Sequence, residues 1–267
     1  MSDDKPHIST TQINMFYACA EQWRRRYLEG EIRPPRISML VGTALHVGAE
    51  TNWRQKIESR RDLPVAEIVD AAVAGFEQRK AEDGYELDSV ECRRGGSVVL
   101  GEAVDTVADL AKVHAKRQAP EYQPTEVETR TTIHLDEASH DILAVTDLRT
   151  EDGQVVDLKT TRRKMAQSAV DTSLQLTTYY AAYCVDHDRP PESVAFDVLT
   201  IGSKAIDRHK LESKRDASDL SALANRVNMM LHAMAQGVFL PTTPDDWRCT
   251  PAWCGYYETC PYVSKRK

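Results

Sequence analysis

A chain of 267 residues, 41% hydrophobic and 28% charged, is long enough to bury a sizeable core and polar enough to stay in water. Its formal charge of −7 argues against a protein that coats nucleic acid non-specifically, yet leaves room for a nuclease whose phosphate contacts come from local basic clusters. The polar start Met1-Ser-Asp-Asp-Lys-Pro-His has no apolar h-region, and no apolar run approaches the ~18 residues of a membrane span. The expectation is a cytoplasmic protein whose six cysteines are reduced rather than paired as disulfides.

Ser9 or Thr10 can cap a first helix running to about Leu28, with Ile13, Phe16, Tyr17 and Ala20 on one stripe; Gly30 and Pro34-Pro35 end it. A second helix is expected from about Gly42, carrying Leu45, His46, Ala49 and Trp53. Two more are expected at about 64–82 and 96–117. After Pro120 and Pro124 the pattern becomes β-like, with strands at 127–135, 142–148 and 155–159 separated by Asp/Glu/Gly turns in which Asp141 and Asp152 are expected to lie. Asp171 and Thr172 can cap a helix to about Val185, followed by a strand at 194–201 and a helix at 217–236. The tail from Pro241 is rich in Pro, Cys and aromatics and needs an external staple to be ordered. One domain is expected, comprising a helical region (1–120), a mixed β-β-β-α-β core (121–240) and a Cys-rich tail (241–267).

Two short segments carry the chemistry. Ala144-Val-Thr-Asp-Leu-Arg149 and Val155-Val-Asp-Leu-Lys-Thr-Thr161 place Asp147, Asp157 and Lys159 on adjacent strands joined at Glu151-Asp152-Gly153. The period of two turns Asp157 and Lys159 to one face and Leu158 to the other. An isolated Asp-x-Lys is common and reads as a solvated hairpin. Two carboxylates and an ammonium brought together suit a site where a divalent cation and developing phosphate charge are both stabilised. Basic clusters stand at Arg24-Arg25-Arg26, Arg60-Arg61, Arg93-Arg94, Arg162-Arg163-Lys164 and Lys265-Arg266-Lys267. Only two bear on function: Arg162-Arg163-Lys164, directly after the Asp-Leu-Lys strand, and Arg24-Arg25-Arg26, close to Cys19. Four thiols near the chain ends, Cys19, Cys249, Cys254 and Cys260, suit a [4Fe–4S] cluster or a tetrahedral Zn²⁺, and spacing alone does not choose. Cys92 and Cys184 read as small apolar fillers in helices.

In this order of motifs the chain resembles the PD-(D/E)XK nuclease superfamily and, within it, the RecB-like branch. Ile8-Ser-Thr-Thr-Gln-Ile-Asn-Met-Phe-Tyr-Ala-Cys19 is similar to the branch's opening helix, Gly42-Thr-Ala-Leu-His46 to its histidine motif, and Asp147 with Asp157-x-Lys159 to the motifs that name the superfamily. Gln175-Leu-Thr-Thr-Tyr-Tyr180 is similar to its Gln-x-x-x-Tyr helix, and Cys249, Cys254 and Cys260 to its C-terminal cysteines. The chain departs from the branch at Val145, where Gly is frequent, at Ala20, where Pro often follows the first cysteine, and in its Cys-x4-Cys-x5-Cys spacing.

The resemblance implies a restriction-endonuclease-like mixed sheet flanked by helices, and a DNA exonuclease dependent on Mg²⁺ or Mn²⁺. Its substrate would be single-stranded DNA or duplex ends in recombination, repair or phage DNA processing, with a recombination or helicase protein as partner. It implies His46, Asp147, Asp157 and the Leu158 carbonyl as metal ligands, Lys159 acting on the attacking water and the phosphate, and Gln175 holding the water or Lys159. Tyr179 would contact DNA or pack beneath the site, and Arg162, Arg163 and Arg24 would bind the DNA backbone. It favours the iron–sulfur cluster over zinc for Cys19, Cys249, Cys254 and Cys260. Joining the chain ends through those thiols closes a loop worth on the order of 5 kcal/mol. Glu126 and Glu128, expected just before the first strand and on one face, add a further acidic candidate in Glu128, and Glu50, one turn after His46, another. The rival readings are an endonuclease or CRISPR-adaptation-type nuclease on the same fold, and a non-catalytic DNA-binding scaffold.

Overall fold

The structure is a computed structural model that describes residues 5–136 and 138–264; the Lys265-Arg266-Lys267 cluster lies outside the described residues. The strands are β1 (His7–Ser9), β2 (Pro124–Ile133), β3 (Asp141–Thr150), β4 (Gln154–Thr161), β5 (Ser193–Ile201) and β6 (Ile206–Ser213). The helices are α1 (Thr10–Ala18), α2 (Ala20–Tyr27), α3 (Ile37–Ser59), α4 (Val65–Asp83), α5 (Ser89–Arg94), α6 (Gly96–Val113), α7 (Gln167–Asp171), α8 (Leu174–His187) and α9 (Ala217–Ala235), with a π-turn at His114–Gln118. All six strands form one mixed sheet. β2 and β3, β3 and β4, and β5 and β6 run antiparallel, while β1 pairs with β3, and β4 with β5, in parallel. The mixed sheet with flanking helices is the expected fold class, enlarged by two strands the sequence did not reveal, β1 and β6.

Each face of the sheet has its own apolar layer. Ile142, Ala144, Val155, Phe196 and Val198 pack against Ile13, Phe16, Leu176, Tyr179 and Val227 from α1, α8 and α9. On the opposite face Val127, Leu148, Val156, Leu158 and Ala195 pack against Ala49 and Trp53 of α3. Beside that layer a helical cluster unites α3, α4 and α6 around Leu45, Phe76 and Leu110. α3 and α4 approach so closely that a Cβ on Gly48 would lie 2.9 Å from Ala72 Cβ and from the Ile68 carbonyl oxygen, which excludes any larger residue there.

Several local expectations are corrected. The first helix does not run unbroken to Leu28: Cys19 is extended (φ −165°, ψ 102°), and the Ala20 N–H donates to the Leu240 carbonyl of the tail at 3.0 Å. The second helix starts at Ile37, so Gly42 lies inside it. Ser173, rather than Asp171 or Thr172, caps α8 by accepting from Leu176 N, while Asp171 accepts from Ser213 Oγ and Gln167. Asp141 is not a turn residue. It is buried at the start of β3, accepting from the Leu135 N–H and contacting His134 Nδ1 at 2.7 Å. Cys92 is exposed and fills no core; Cys184 is half-buried.

Two buried ion networks, invisible to periodicity, tie the layers together. Arg149, fully buried, meets Asp186 at 2.7 Å and Glu126 at 2.9 Å. Asp197, also fully buried, accepts from Arg208 and from the Tyr122 hydroxyl, each at 2.7 Å. Such pairs tolerate burial because each charge keeps several partners, and loss of one partner strands the other. Next to them His114 is completely buried, its Nδ1 3.0 Å from Gln118 Oε1 and its ring edge-on to Trp53.

Burial pushes the His114 pKa down to about 4 from 6.5. The unfolded chain therefore takes up a proton near pH 6.5 that the folded chain refuses until about pH 4. The contribution of His114 to stability is full above pH 6.5 and is lost as the pH falls toward 4, by about 3 kcal/mol at most. His114→Phe should flatten this acid limb. Urea midpoints compared between pH 7 and pH 4.5 should fall less for the variant than for the wild type, and equal falls would refute the assignment.

Candidate active site

The site begins with a fork in the sheet. β2 occupies one edge of β3 along almost its whole length. On the other edge β1 pairs with Asp141–Leu143, and β4 pairs only at Leu148↔Val156 and Arg149↔Val155. Between these pairings β3 has no strand neighbour on that side, and Asp147 stands at the point where β4 leaves. The backbone polar groups of Leu158, pointing into the fork, need partners. The N–H donates to Asp147 Oδ2 at 2.9 Å, and the carbonyl oxygen lies 3.1 Å from His46 Nε2. α3 delivers His46 to this point; Gly42, one turn earlier, faces Thr160 of β4, whose Oγ1 would lie 3.4 Å from an added Cβ.

His46 thus turns Nε2 to the Leu158 carbonyl and Nδ1 to Asp147 Oδ2, 3.2 Å away. Burial pushes the His46 pKa down. Burial, followed by the neighbouring Asp157 charge, holds the Asp147 carboxyl well above the usual range. A cation beside Asp147 would offset the same crowding of negative charge. Ligand atoms of His46, Asp147 and Glu128 lie within 4.8 Å of one another. With the Leu158 carbonyl they make an oxygen-rich donor set with one imidazole, which suits a hard divalent cation such as Mg²⁺ or Mn²⁺.

Glu128 reaches the site by an inversion of β2. Its flanking residues pair as Val127↔Leu148 and Thr129↔Thr146, so Glu128 lies opposite Asp147, but with φ +51°. Glu126 and Glu128 are inside β2 rather than before it, and they do not share a face. Glu126 binds Arg149 and His187 on the α8 side, whereas Glu128 joins His46 on the α3 side. A regular strand would have sent both the same way; the left-handed residue breaks the alternation. Burial, then Asp147 and Glu50, push the Glu128 pKa up to about 7.

Asp157, 1% exposed, is held from the other face of the sheet. Its Oδ1 accepts from Gln175 Nε2 at 2.8 Å and from the Tyr179 hydroxyl at 3.2 Å, and Gln175 Nε2 also lies 2.8 Å from the Tyr179 oxygen. Its Oδ2 has the Lys159 ammonium at 2.7 Å. Gln175 therefore holds the Asp157 carboxylate rather than Lys159, and Tyr179, 5% exposed, packs beneath the site rather than presenting itself to a ligand. Burial and the Asp157 and Asp147 charges raise the Tyr179 pKa, so the phenol stays protonated and donates. Two of the ligands expected together, Asp147 and Asp157, thus face different partners, and Glu128 takes a place beside His46 and Asp147.

Arg162 and Arg163 are exposed at the end of β4, in a turn where Thr161 Oγ1 accepts from the Arg163 N–H. Arg24 is instead committed internally, to Glu21 at 2.7 Å and Glu29 at 2.5 Å. Cys19, Cys249, Cys254 and Cys260 are free, half-buried thiols. Burial raises the pKa values of Cys249 and Cys254, and the nearby thiols, Cys19 and Cys260 for both, add to the rise. The tail is pinned to α2 and the loop after it: Arg25 donates to Thr259 Oγ1 at 2.8 Å, and the Tyr256 hydroxyl donates to the Glu31 carbonyl at 2.5 Å.

A non-glycine residue with positive φ costs on the order of 1 kcal/mol. Glu128→Gly should therefore raise the melting temperature of the metal-free protein by about 2–4 °C. A lowered melting temperature, read by calorimetry in chelator, would show that the left-handed backbone and the crowded carboxylates carry no cost.

Comparison with known proteins places this geometry. No curated protein matches the chain. Among solved structures, a Eubacterium rectale protein named as a putative exonuclease superposes with a TM-score of 0.58 at 12% identity, covering 100% of this chain and 95% of that one, a likeness of fold alone. A structure of SSO0001, 14% identical and covering 94% of each chain, superposes with a TM-score of 0.37, which carries no argument. The sequence model of the PD-(D/E)XK nuclease superfamily matches residues 7–261, nearly the whole chain including the fork, the Asp-Leu-Lys strand and the tail cysteines: the chain belongs to the PD-(D/E)XK nuclease superfamily.

Proposed function

We propose that this nuclease is a DNA exonuclease dependent on Mg²⁺ or Mn²⁺, acting on single-stranded DNA or duplex ends. The observation that carries the reading is the convergence of His46, Asp147 and Glu128 from one side of Leu158 with Asp157 and Lys159 from the other. A divalent cation held by His46, Asp147, Glu128 and the Leu158 carbonyl, with Asp157 alongside, would polarise the scissile phosphate and lower the pKa of an attacking water. Lys159 brings the positive charge that offsets charge developing on the phosphate. Gln175 and Tyr179 fix the rotamer of Asp157, and Asp157 in turn fixes the ammonium of Lys159. Arg162 and Arg163, exposed just beyond Lys159, contact the DNA backbone and carry no base readout. The name of the Eubacterium rectale neighbour agrees with exonucleolytic action.

A second element of the reading is a [4Fe–4S] cluster on Cys19, Cys249, Cys254 and Cys260. Four free, half-buried thiols, of which Cys249 and Cys254 have pKa values raised by burial and by the neighbouring thiols, fit a group that takes them as thiolates. The cluster would staple the tail to the break between α1 and α2. The biological setting is recombination, repair or phage DNA processing, with a helicase or recombination protein as the natural partner.

Lys159→Ala and Asp157→Ala should each lower kcat by about a hundredfold or more while leaving DNA affinity within about threefold, since they act on chemistry rather than on backbone contacts. Cleavage of linear but not circular single strands, with Mn²⁺ and not with EDTA, identifies the exonuclease; cutting of circles at the same rate would make it an endonuclease. Cys249→Ser should give colourless, protease-sensitive protein, whereas Cys92→Ser should keep the visible absorbance. Zinc in place of iron in anaerobically purified protein would overturn the iron–sulfur cluster and leave the staple.

A further inference from the structure

Lys159 does not extend away from its strand. Its ammonium lies 2.7 Å from Asp157 Oδ2, two residues back, and 5.1 Å from the centroid of the Phe196 ring. Phe196 is directly opposite Asp157 in the parallel β4–β5 register and on the same face, 5% exposed and packed in the cluster that includes Leu176 and Tyr179. Its ring is therefore rigid, while the Lys159 side chain, 30% exposed, has four rotatable bonds and open solvent beside it. The negative face of an aromatic ring attracts an ammonium, and more strongly where water is excluded from one side.

The two attractions on Lys159 differ in kind. Asp157 already accepts from Gln175 and Tyr179, and it is a charged oxygen donor for which a cation in the fork would compete. A carboxylate whose charge is shared with a nearby cation attracts the ammonium less, even with its rotamer fixed. The ring carries no lone pair, binds no hard cation, and offers its face to Lys159 whatever Asp157 does. We propose that Phe196 is a positioning residue for Lys159: its ring face holds the ammonium at the Asp157 side of the site independently of the Asp157 carboxylate. The inference rests on the role given to Lys159 above.

The test withdraws the charge of the ring face without changing its shape. Phe196 is replaced by mono-, di- and trifluorophenylalanine in the full chain, and cleavage of linear single-stranded DNA is followed in Mn²⁺. kcat should fall stepwise, by about tenfold at the trifluoro ring, while KM and the melting temperature stay unchanged. Phe196→Leu should match the trifluoro protein in kcat. In a Lys159→Ala background the fluorine series should be flat. A series that is flat in the wild-type background, where Lys159→Ala itself lowers kcat by about a hundredfold, overturns the role of Phe196 and leaves the proposed function intact. A Lys159→Ala protein with wild-type kcat overturns both. The metal-free protein supplies a readout independent of cleavage: the Lys159 ε-methylene resonances, shifted upfield by the ring beneath, should move downfield in Phe196→Leu. Resonances that do not move would show that the ammonium is not held over the ring.

Discussion

The structure depends on one interrupted pairing. β4 leaves β3 after Leu148↔Val156, and the backbone groups of Leu158 that a continuing β3 would have satisfied fall to Asp147 and His46 instead. A buried, unpaired backbone group is expensive, so the fork is stable only with polar side chains placed in it. Those side chains are the ones that form the candidate metal site. Asp147 is at once a structural acceptor for Leu158 and a member of the acidic cluster, and His46 ties α3 to the same residue. The sheet cannot close this gap without losing the site, and the site cannot be emptied without leaving the sheet edge unsatisfied.

Around the fork, charge is arranged so that acidic groups crowd on one side and a single ammonium answers from the other. Burial first, and then a neighbouring carboxylate, raises the proton affinity of two of these groups: Asp147 acts on Glu128, and Asp157 acts on Asp147. That arrangement is costly in an empty site and favourable once a doubly charged ion is present, which is the usual bargain at a hydrolytic metal centre. The left-handed conformation of Glu128 belongs to the same account: a local strain, tolerated because the long β2–β3 ladder over-determines the strand on either side. Two other buried charges, Arg149 and Asp197, keep several partners each and tie the layers together, so that the site is carried on strands and helices rather than on loops.

The tail belongs to the fold by contacts that begin far away in the chain. The break at Cys19 exposes the Ala20 N–H, which the Leu240 carbonyl accepts, and the aromatic stack of Trp23 on Phe239 at 6.0 Å buries the junction. Tyr256 then lies between the guanidinium groups of Arg25 and Arg33, each 5.5 Å from its ring. Cys19 and Cys260 lie near enough to Cys249 and Cys254 to raise the pKa values of both.

Much of this was legible from local pattern. The alternation in Val155–Thr161 put Asp157 and Lys159 on one face, and the motif order from His46 to Tyr179 pointed to the superfamily and its sheet, because such motifs are short and their spacing along a strand or helix is fixed by geometry. The long amphipathic helices were legible for the same reason. What the sequence could not determine are the features in which distant segments satisfy one another. The short β1 has too few residues to show a period, and β6, with polar residues on both faces, shows no clean alternation. Asp141 was indistinguishable from a turn residue until His134 and Leu135 closed around it. The side on which Glu128 stands was decided by one positive φ, which no side-chain pattern announces and which reverses the reading of period two. The residue types, their order and their local spacing determined the chemistry available to this protein. The tertiary structure alone decided which carboxylates gather beside His46 and which one is held with the lysine, because those choices are made by backbone groups left without partners where two strands diverge.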